Sequence, residues 1–195
     1  METSLSHALL IAVAVGLASG AIGSFIILRR MALVGDALSH VALPGIALAL
    51  AWSIDPFWGV VVFLAVAAVV VWWLQGRTKL PGEAIVGLLF TASLAVGILA
   101  LPSEDLIDSL FGAFPALTTL GLWLIVLGAI LLTAATFWLA RKFLFMIVSP
   151  DLAHVNGISS KTDLALLLIF ALVVALGIKL VGTLLMGALT IIPAL

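Results

Sequence analysis

The sequence predicts an all-α integral membrane protein, a polytopic bundle of apolar helices. Three observations carry this prediction: 65% of the 195 residues are hydrophobic, only 9% are charged, and the mean hydropathy is +1.44. A soluble domain is roughly 25% charged because water must wet its surface. Most of the exterior must therefore face a lipid bilayer. The chain has no cysteine, which excludes disulfides and thiolate metal sites.

Stretches of bilayer length follow one another along the chain. A helix needs about 20 mostly apolar residues to cross the hydrocarbon core. Six segments meet or approach this length: residues 5–28, 31–52, 57–75, 83–101, 120–140 and 162–178. A seventh begins near Leu180 and runs to Leu195, within apolar residues. We expect one transmembrane domain over residues 1–195, cut off within its seventh span.

The first span is expected to be retained and not cleaved as a signal peptide. No basic residue precedes its apolar run, residues 8–28. That run is also longer than the apolar region of a typical signal peptide, which has about 7–15 residues.

Lysine and arginine residues predict the orientation. The connections after segments one, three and five contain Arg29, Arg30, Arg77, Lys79, Arg141, Lys142 and Lys161. Lys179 is the one basic residue of the opposite side. The positive-inside rule places the basic connections in the cytoplasm and the N-terminus outside. The net charge of −1 and the lack of a basic cluster indicate no nucleic-acid partner.

Short helices are predicted in two connections. Between segments four and five, apolar residues at helical spacing lie opposite acids, which suits a helix in the outer interface. The apolar residues are Leu106, Ile107, Leu110, Phe111 and Phe114, and the acids are Glu104, Asp105 and Asp108. The acids either attract cations or a partner protein, or form only a solvated helix face.

The second short helix follows segment five. Ser149, Pro150 and Asp151 read as an N-cap, a proline at the first helical position and a first-turn acid. The pair Asn156-Gly157 supplies the stop. A helix of about two turns results, with Leu152 and Val155 on one face. It needs a protein surface to pack against.

The residues that point to chemistry are Asp36 and His40 in segment two. Ionisable residues inside a span are costly and are functional candidates. At about 1.5 Å per residue, His40 lies near the middle of the bilayer, and the spacing of four puts Asp36 on the same helix face. A carboxylate and an imidazole so arranged suit zinc and related divalent ions. Pro44 is expected to kink the helix just beyond them.

Two interpretations of this pair stay open. Asp36 and His40 either bind a metal ion, or simply satisfy each other in a core of low dielectric constant. One Asp and one His are also too few for a metal site of about four ligands. A second copy of the chain across a two-fold axis would double the number of ligands.

Seven stretches of the sequence carry recognisable motifs: residues 28–40 (LRRMALVGDALSH), 43–47 (LPGIA), 84–90 (AIVGLLF), 110–112 (LFG), 150–153 (PDLA) with Gly157, 181–185 (VGTLL) and 191–194 (IIPA). Together they closely resemble the signature of the zinc/manganese/iron class of ABC importer permeases. The resemblance spans nearly the whole chain in the expected order. Two positions depart from it: Ala113 replaces a common polar residue, and His154 a common basic one.

The resemblance implies a bacterial plasma-membrane permease of about eight spans that carries zinc, manganese or iron as substrate and holds no permanent cofactor. It implies three protein partners: a second copy, a cytoplasmic ABC ATPase and an extracytoplasmic metal-binding protein. Asp36 and His40 match family positions that contact the ion. Pro150, Asp151, Leu152, Ala153 and Gly157 match the segment that docks into the ATPase.

Three other functions fit the sequence less well. A secondary transporter could use Asp36 and His40 as a proton relay, although it would not need the helix that begins at Pro150. A membrane scaffold would leave the two ionisable residues unexplained. An enzyme is the weakest alternative, because the chain lacks the GxxxxGK[ST] phosphate loop and cannot be the ATPase itself.

Overall fold

The computed structural model describes residues 2–31, 34–78, 80–112, 119–155 and 159–194. These residues form nine α-helices and a closing 3₁₀ turn. The helices are α1 (Glu2–Leu28), α2 (Val34–Val41), α3 (Leu43–Ala51), α4 (Pro56–Arg77), α5 (Gly82–Ala100), α6 (Ser103–Phe111), α7 (Thr119–Val148), α8 (Pro150–Val155) and α9 (Ser159–Ile191), and the turn is Ile192–Ala194. The predicted helical membrane bundle is confirmed.

Six helical stretches of the described chain are long and apolar enough to cross a membrane. They are Leu9–Leu28, Val34–Ala51, Pro56–Arg77, Gly82–Ala100, Gly121–Val148 and Lys161–Ala194. Each overlaps a predicted segment. The last stretch covers both the sixth and the seventh predicted segments.

The last stretch folds back on itself at Gly182. A straight helix would separate Phe170 and Thr190 by about 30 Å. Both lie against Gly35, where an added Cβ atom would be 3.5 Å from Phe170 Cζ and 2.6 Å from Thr190 Oγ1. Gly182 has φ 74° and ψ 179°, a conformation that only glycine adopts readily. Helix α9 therefore consists of two arms, and the predicted break near residue 180 is confirmed.

The helix is interrupted just beyond His40, where Pro44 predicts a kink. The chain breaks between α2 and α3 at Ala42, whose N–H donates to Ser39 O over 3.3 Å. Pro44 has no N–H, so the His40 carbonyl group loses its usual partner four residues on. Helical bonding resumes where Ile46 N–H donates to Ala42 O over 3.0 Å.

Helix α7 continues eight residues beyond its predicted end at residue 140. Arg141 and Lys142 were interpreted as the end of the span, but both are exposed while Phe143 and Met146 are buried. The apolar length predicted a span and not the full helix, which continues past residue 140 with one of its faces packed on protein.

The two short helices form where they were predicted. Helix α6 ends at Gly112, which is left-handed with φ 80°, and its N–H donates to Asp108 O over 2.9 Å. Helix α8 begins at Pro150, where Ala153 N–H donates to Ser149 O over 2.9 Å. Phe114 and the Asn156-Gly157 stop lie outside the described residues.

Close contact between small residues joins several helices. A Cβ atom at Gly20 would lie 3.0 Å from Pro193 O, and one at Gly23 2.5 Å from Thr190 O. The backbones of Gly45 and Gly59 meet in the same way between α3 and α4. Such approaches hold helices together in lipid. Other glycines, among them Gly16 and Gly87, have nothing within 4 Å, so tight packing does not account for all of them.

Candidate functional site

Helix α2 carries both candidate residues. Asp36 lies in its first turn and is exposed, and His40 lies in its last turn and is half-buried. Between them Ser39 is fully buried, and its hydroxyl group donates to Asp36 O over 2.7 Å. This side-chain bond uses a backbone acceptor in the same turn and leaves the Asp36 carboxylate free to face outward.

Asp36 opens into a cavity between α2 and α5. The cavity has a volume of about 240 Å³, room for a cation with several water molecules. Helix α2 contributes Val34, Asp36 and Ala37 to its walls, and α5 contributes Glu83, Val86, Gly87 and Phe90. The carboxylate of Asp36 is therefore not sealed among apolar neighbours.

The second arm of α9 supports Asp36 from behind. A Cβ atom at Gly187 would lie 2.8 Å from Asp36 Oδ1 and 3.0 Å from its Cα. Thr190, one turn further, donates to the carbonyl groups of Met186 and Gly187 over 3.0 and 2.8 Å. A side chain at position 187 would push the two helices apart, so glycine lets the α9 backbone lie directly against Asp36.

His40 packs against α5 and keeps one nitrogen without a partner. Its ring meets the Phe90 ring edge-on, with centroids 5.4 Å apart. The Nδ1 atom is buried and has no hydrogen-bond partner among the described residues. Asp36 therefore does not satisfy His40 through Nδ1. A buried polar atom of this kind calls for an ion or a water molecule as its partner.

The chain supplies few ligands by itself. Within the described ranges, no group of three or more His, Asp or Glu side chains lies close enough to hold a metal ion. A complete site of about four ligands would need groups from elsewhere.

A larger cavity of about 680 Å³ opens near the ends of α1, α4 and α5. Its walls include Arg29, Arg30, Gln75, Glu83 and Asp163. The Arg29 guanidinium group pairs with the Asp163 carboxylate over 2.7 Å, although both are a fifth to a quarter exposed. We call the end of the bundle that carries Arg29, Arg77 and Lys142 the basic side.

Glu83 was not recognised from the sequence. It lines both cavities, the one that contains Asp36 and the one at the basic side. It stands at the start of an apolar segment, where a charged residue is ordinary. The one available signal was its place on the basic side, among arginines and lysines.

The predicted docking residues lie on α8. Ala153 is fully buried, whereas Leu152 is 56% and Val155 85% exposed. Asp151 is exposed, and Gly157 lies outside the described residues. The helix therefore rests on the bundle through Ala153 and presents two apolar side chains outward.

Comparison with known proteins identifies the family of this chain. The model of the ABC 3 transport family matches residues 1–195. The manganese transport system membrane protein MntC of Listeria monocytogenes is 34% identical, over 97% of this chain and 70% of its own length. The high-affinity zinc uptake system membrane protein ZnuB of Haemophilus influenzae is 33% identical, over 97% of this chain and 75% of its own.

A solved structure has the same fold. PsaBC from Streptococcus pneumoniae, in complex with Fab, superposes with a TM-score of 0.73 and 32% sequence identity. The match covers 96% of this chain and 69% of the other. From its sequence, its helices and this fold, the chain belongs to the ABC 3 transport family and is a multi-pass bacterial membrane permease.

Proposed function

We propose that this chain is the transmembrane subunit of an ATP-binding-cassette importer that moves manganese, zinc or iron ions into the cytoplasm. One observation carries the proposal. A carboxylate and an imidazole with a buried, unpartnered Nδ1 stand one turn apart inside a span, and the carboxylate opens into a cavity. The family and the names of the manganese and zinc relatives support the same conclusion.

The ligand chemistry suits a borderline divalent cation. Neutral imidazole and carboxylate are ordinary ligands for zinc, manganese and iron, and availability often decides between them. Asp36 and His40 supply two ligands. A second copy of the chain across a two-fold axis supplies two more and completes a site of about four.

The energy for transport comes from a partner. The chain has no phosphate-binding loop, so it does not hydrolyse ATP itself. Helix α8 presents Leu152 and Val155 away from the bundle. We assign these two side chains, on the segment that Pro150 and Asp151 begin, to docking of the cytoplasmic ATPase, while the buried Ala153 holds the segment on the bundle. A self-contained proton-coupled carrier has no need of such a surface, and no observation favours one.

The orientation follows from the basic side. Because basic connections stay in the cytoplasm, the N-terminus and α6 lie outside. Helix α6 exposes Ile107, Phe111 and Asp108 there, where a metal-binding protein delivers its ion. Movement of α8 with ATP then alternates access to Asp36 and His40.

Substitution of the pair tests the proposal. Asp36→Asn keeps the shape of the side chain, His40→Asn leaves a smaller polar group, and each removes a metal ligand. Each should therefore lower metal uptake at least about tenfold, the loss that even a supporting residue of a metal site causes. Uptake is measured in proteoliposomes that contain the permease, its ATPase and its binding protein. The ATPase should still copurify with both variants.

A matched control is available in the same chain. His7 is exposed and does not line the α2 cavity. His7→Asn should import metal at the wild-type rate. Undiminished uptake by both Asp36→Asn and His40→Asn would refute the assigned site.

A further inference from the structure

Two cavities of this molecule share one carboxylate. Glu83, in the first turn of α5, lines the cavity of Asp36 and also the larger cavity at the basic side. Asp36 lines only the first of these, and Asp163 only the second. A cation that moves from Asp36 toward the basic side therefore passes Glu83.

The charges that line the larger cavity indicate what the carboxylate of Glu83 contributes: it offsets positive charge. Arg29 and Arg30 both line that cavity. Asp163 pairs with Arg29, and the described residues contain no ion pair that involves Glu83. Without Glu83, two guanidinium groups would face a single carboxylate. A divalent cation would then meet net positive charge, which is a barrier where the dielectric constant is below that of water.

We propose that Glu83 is the release carboxylate of the pathway: it takes the divalent cation from Asp36 and His40 and passes it to the basic-side cavity. This inference rests on the proposed function. Glu83 offers a single exposed carboxylate, so it binds a cation more weakly than Asp36 and His40, which together supply two ligands and of which His40 is half-buried. Conduction requires such a site, favourable enough to enter and weak enough to leave.

A structural role for Glu83 makes a different prediction. An acid in the first turn of a helix stabilises that helix through the macrodipole. Its loss would then lower the melting temperature of the complex and leave the rate of transport per folded complex unchanged. The release role predicts the opposite pattern.

The experiment uses the permease with its ATPase and binding protein in proteoliposomes, with radioactive manganese as the probe. Glu83→Gln should lower the maximal uptake rate about tenfold or more and leave the KM for delivered metal nearly unchanged. In the same variant, equilibrium manganese binding without ATP should stay within about twofold of wild type. Glu83→Asp, which keeps the carboxylate, should restore most of the rate.

Ala84→Gln is the matched control. Ala84 is the exposed neighbour of Glu83 and lines neither cavity. This variant should transport at the wild-type rate. Wild-type uptake by Glu83→Gln, or a fall in melting temperature large enough to account for its defect, would overturn the role of Glu83 and leave the proposed function standing. A wild-type complex that imports no manganese and no zinc would instead overturn the proposed function.

Discussion

At the scale of single residues, Asp36 is held between a cavity and a glycine. The cavity leaves the carboxylate accessible, and Gly187 lets the α9 backbone lie directly behind it. The geometry of the site therefore depends on a residue that has no side chain and touches no substrate.

Substitution of Gly187 should damage the site without removing a ligand. The new Cβ atom of Gly187→Ala would stand 2.8–3.0 Å from Asp36 atoms, among them the α-carbon, so α2 and α9 must separate. Overpacking of this kind costs about 1–3 kcal/mol. We expect a lower melting temperature and weaker manganese binding, measured on the complex in detergent.

The control for Gly187 is Gly16. A Cβ atom at Gly16 meets nothing within 4 Å, although this residue is also helical. Gly16→Ala should therefore leave melting and metal binding unchanged. If Gly187→Ala behaves like Gly16→Ala, close packing behind Asp36 does not position the carboxylate.

Sequence alone could identify Asp36 and His40 but not their surroundings. Both were recognisable because an ionisable residue in an apolar span is exceptional. Glu83 and Gly187 are ordinary in sequence, one at the end of a span and one among many glycines. Their roles arise only when α5 and α9 pack beside α2, which no local pattern specifies.

At the scale of elements, the fold-back in α9 brings Gly187 to Asp36. Gly182 makes the reversal, and its backbone lies against Gly112 and Leu110 at the end of α6. The sequence predicted a break near Leu180 from the length of the apolar run. It could not show that the returning arm would pack on α2, because the turn has no polar connection to mark it.

Helix α8 offers a test at this scale. Val155→Glu places a charge on a side chain that is 85% exposed and points away from the bundle. Burial of that charge in an apolar docking surface is costly. We expect the ATPase to be lost from the purified complex and uptake to fall to background, while manganese binding to the permease is unchanged.

Leu80→Glu is the companion variant. Leu80 is 56% exposed in another connection of the basic side. The ATPase should copurify with Leu80→Glu as with wild type. Normal copurification with Val155→Glu would show that α8 is not the docking element.

At the scale of the whole molecule, ion pairs tie both ends of the first arm of α9 to other helices. Arg29 and Asp163 join the end of α1 to the start of α9 on the basic side. On the other side Lys179 lies 3.9 Å from Asp55 and 4.8 Å over the Phe57 ring, at the start of α4. Asp55 is exposed, and a pair of this kind contributes only about 0–1 kcal/mol of stability. The Arg29–Asp163 pair is mostly buried, so loss of either partner would leave an uncompensated charge at the end of α1.

The overall architecture was the most predictable feature. Composition required lipid exposure, and the apolar lengths gave the spans with small errors at their ends. The largest difference is at the end of α7, where the helix continues past residue 140 and buries Phe143 and Met146. The order of helices in space depends on contacts far apart in sequence, such as those of Gly35 with Phe170 and Thr190.

The central claim is that Asp36 and His40 hold the transported ion, and X-ray absorption spectroscopy tests it most directly. Zinc bound to the permease–ATPase complex should show the scattering signature of imidazole together with oxygen ligands, at about 2.0–2.2 Å. That signature should vanish in His40→Asn and persist in His7→Asn. An imidazole signal that His40→Asn leaves intact, or a bound ion with oxygen ligands alone in the wild type, would contradict the account.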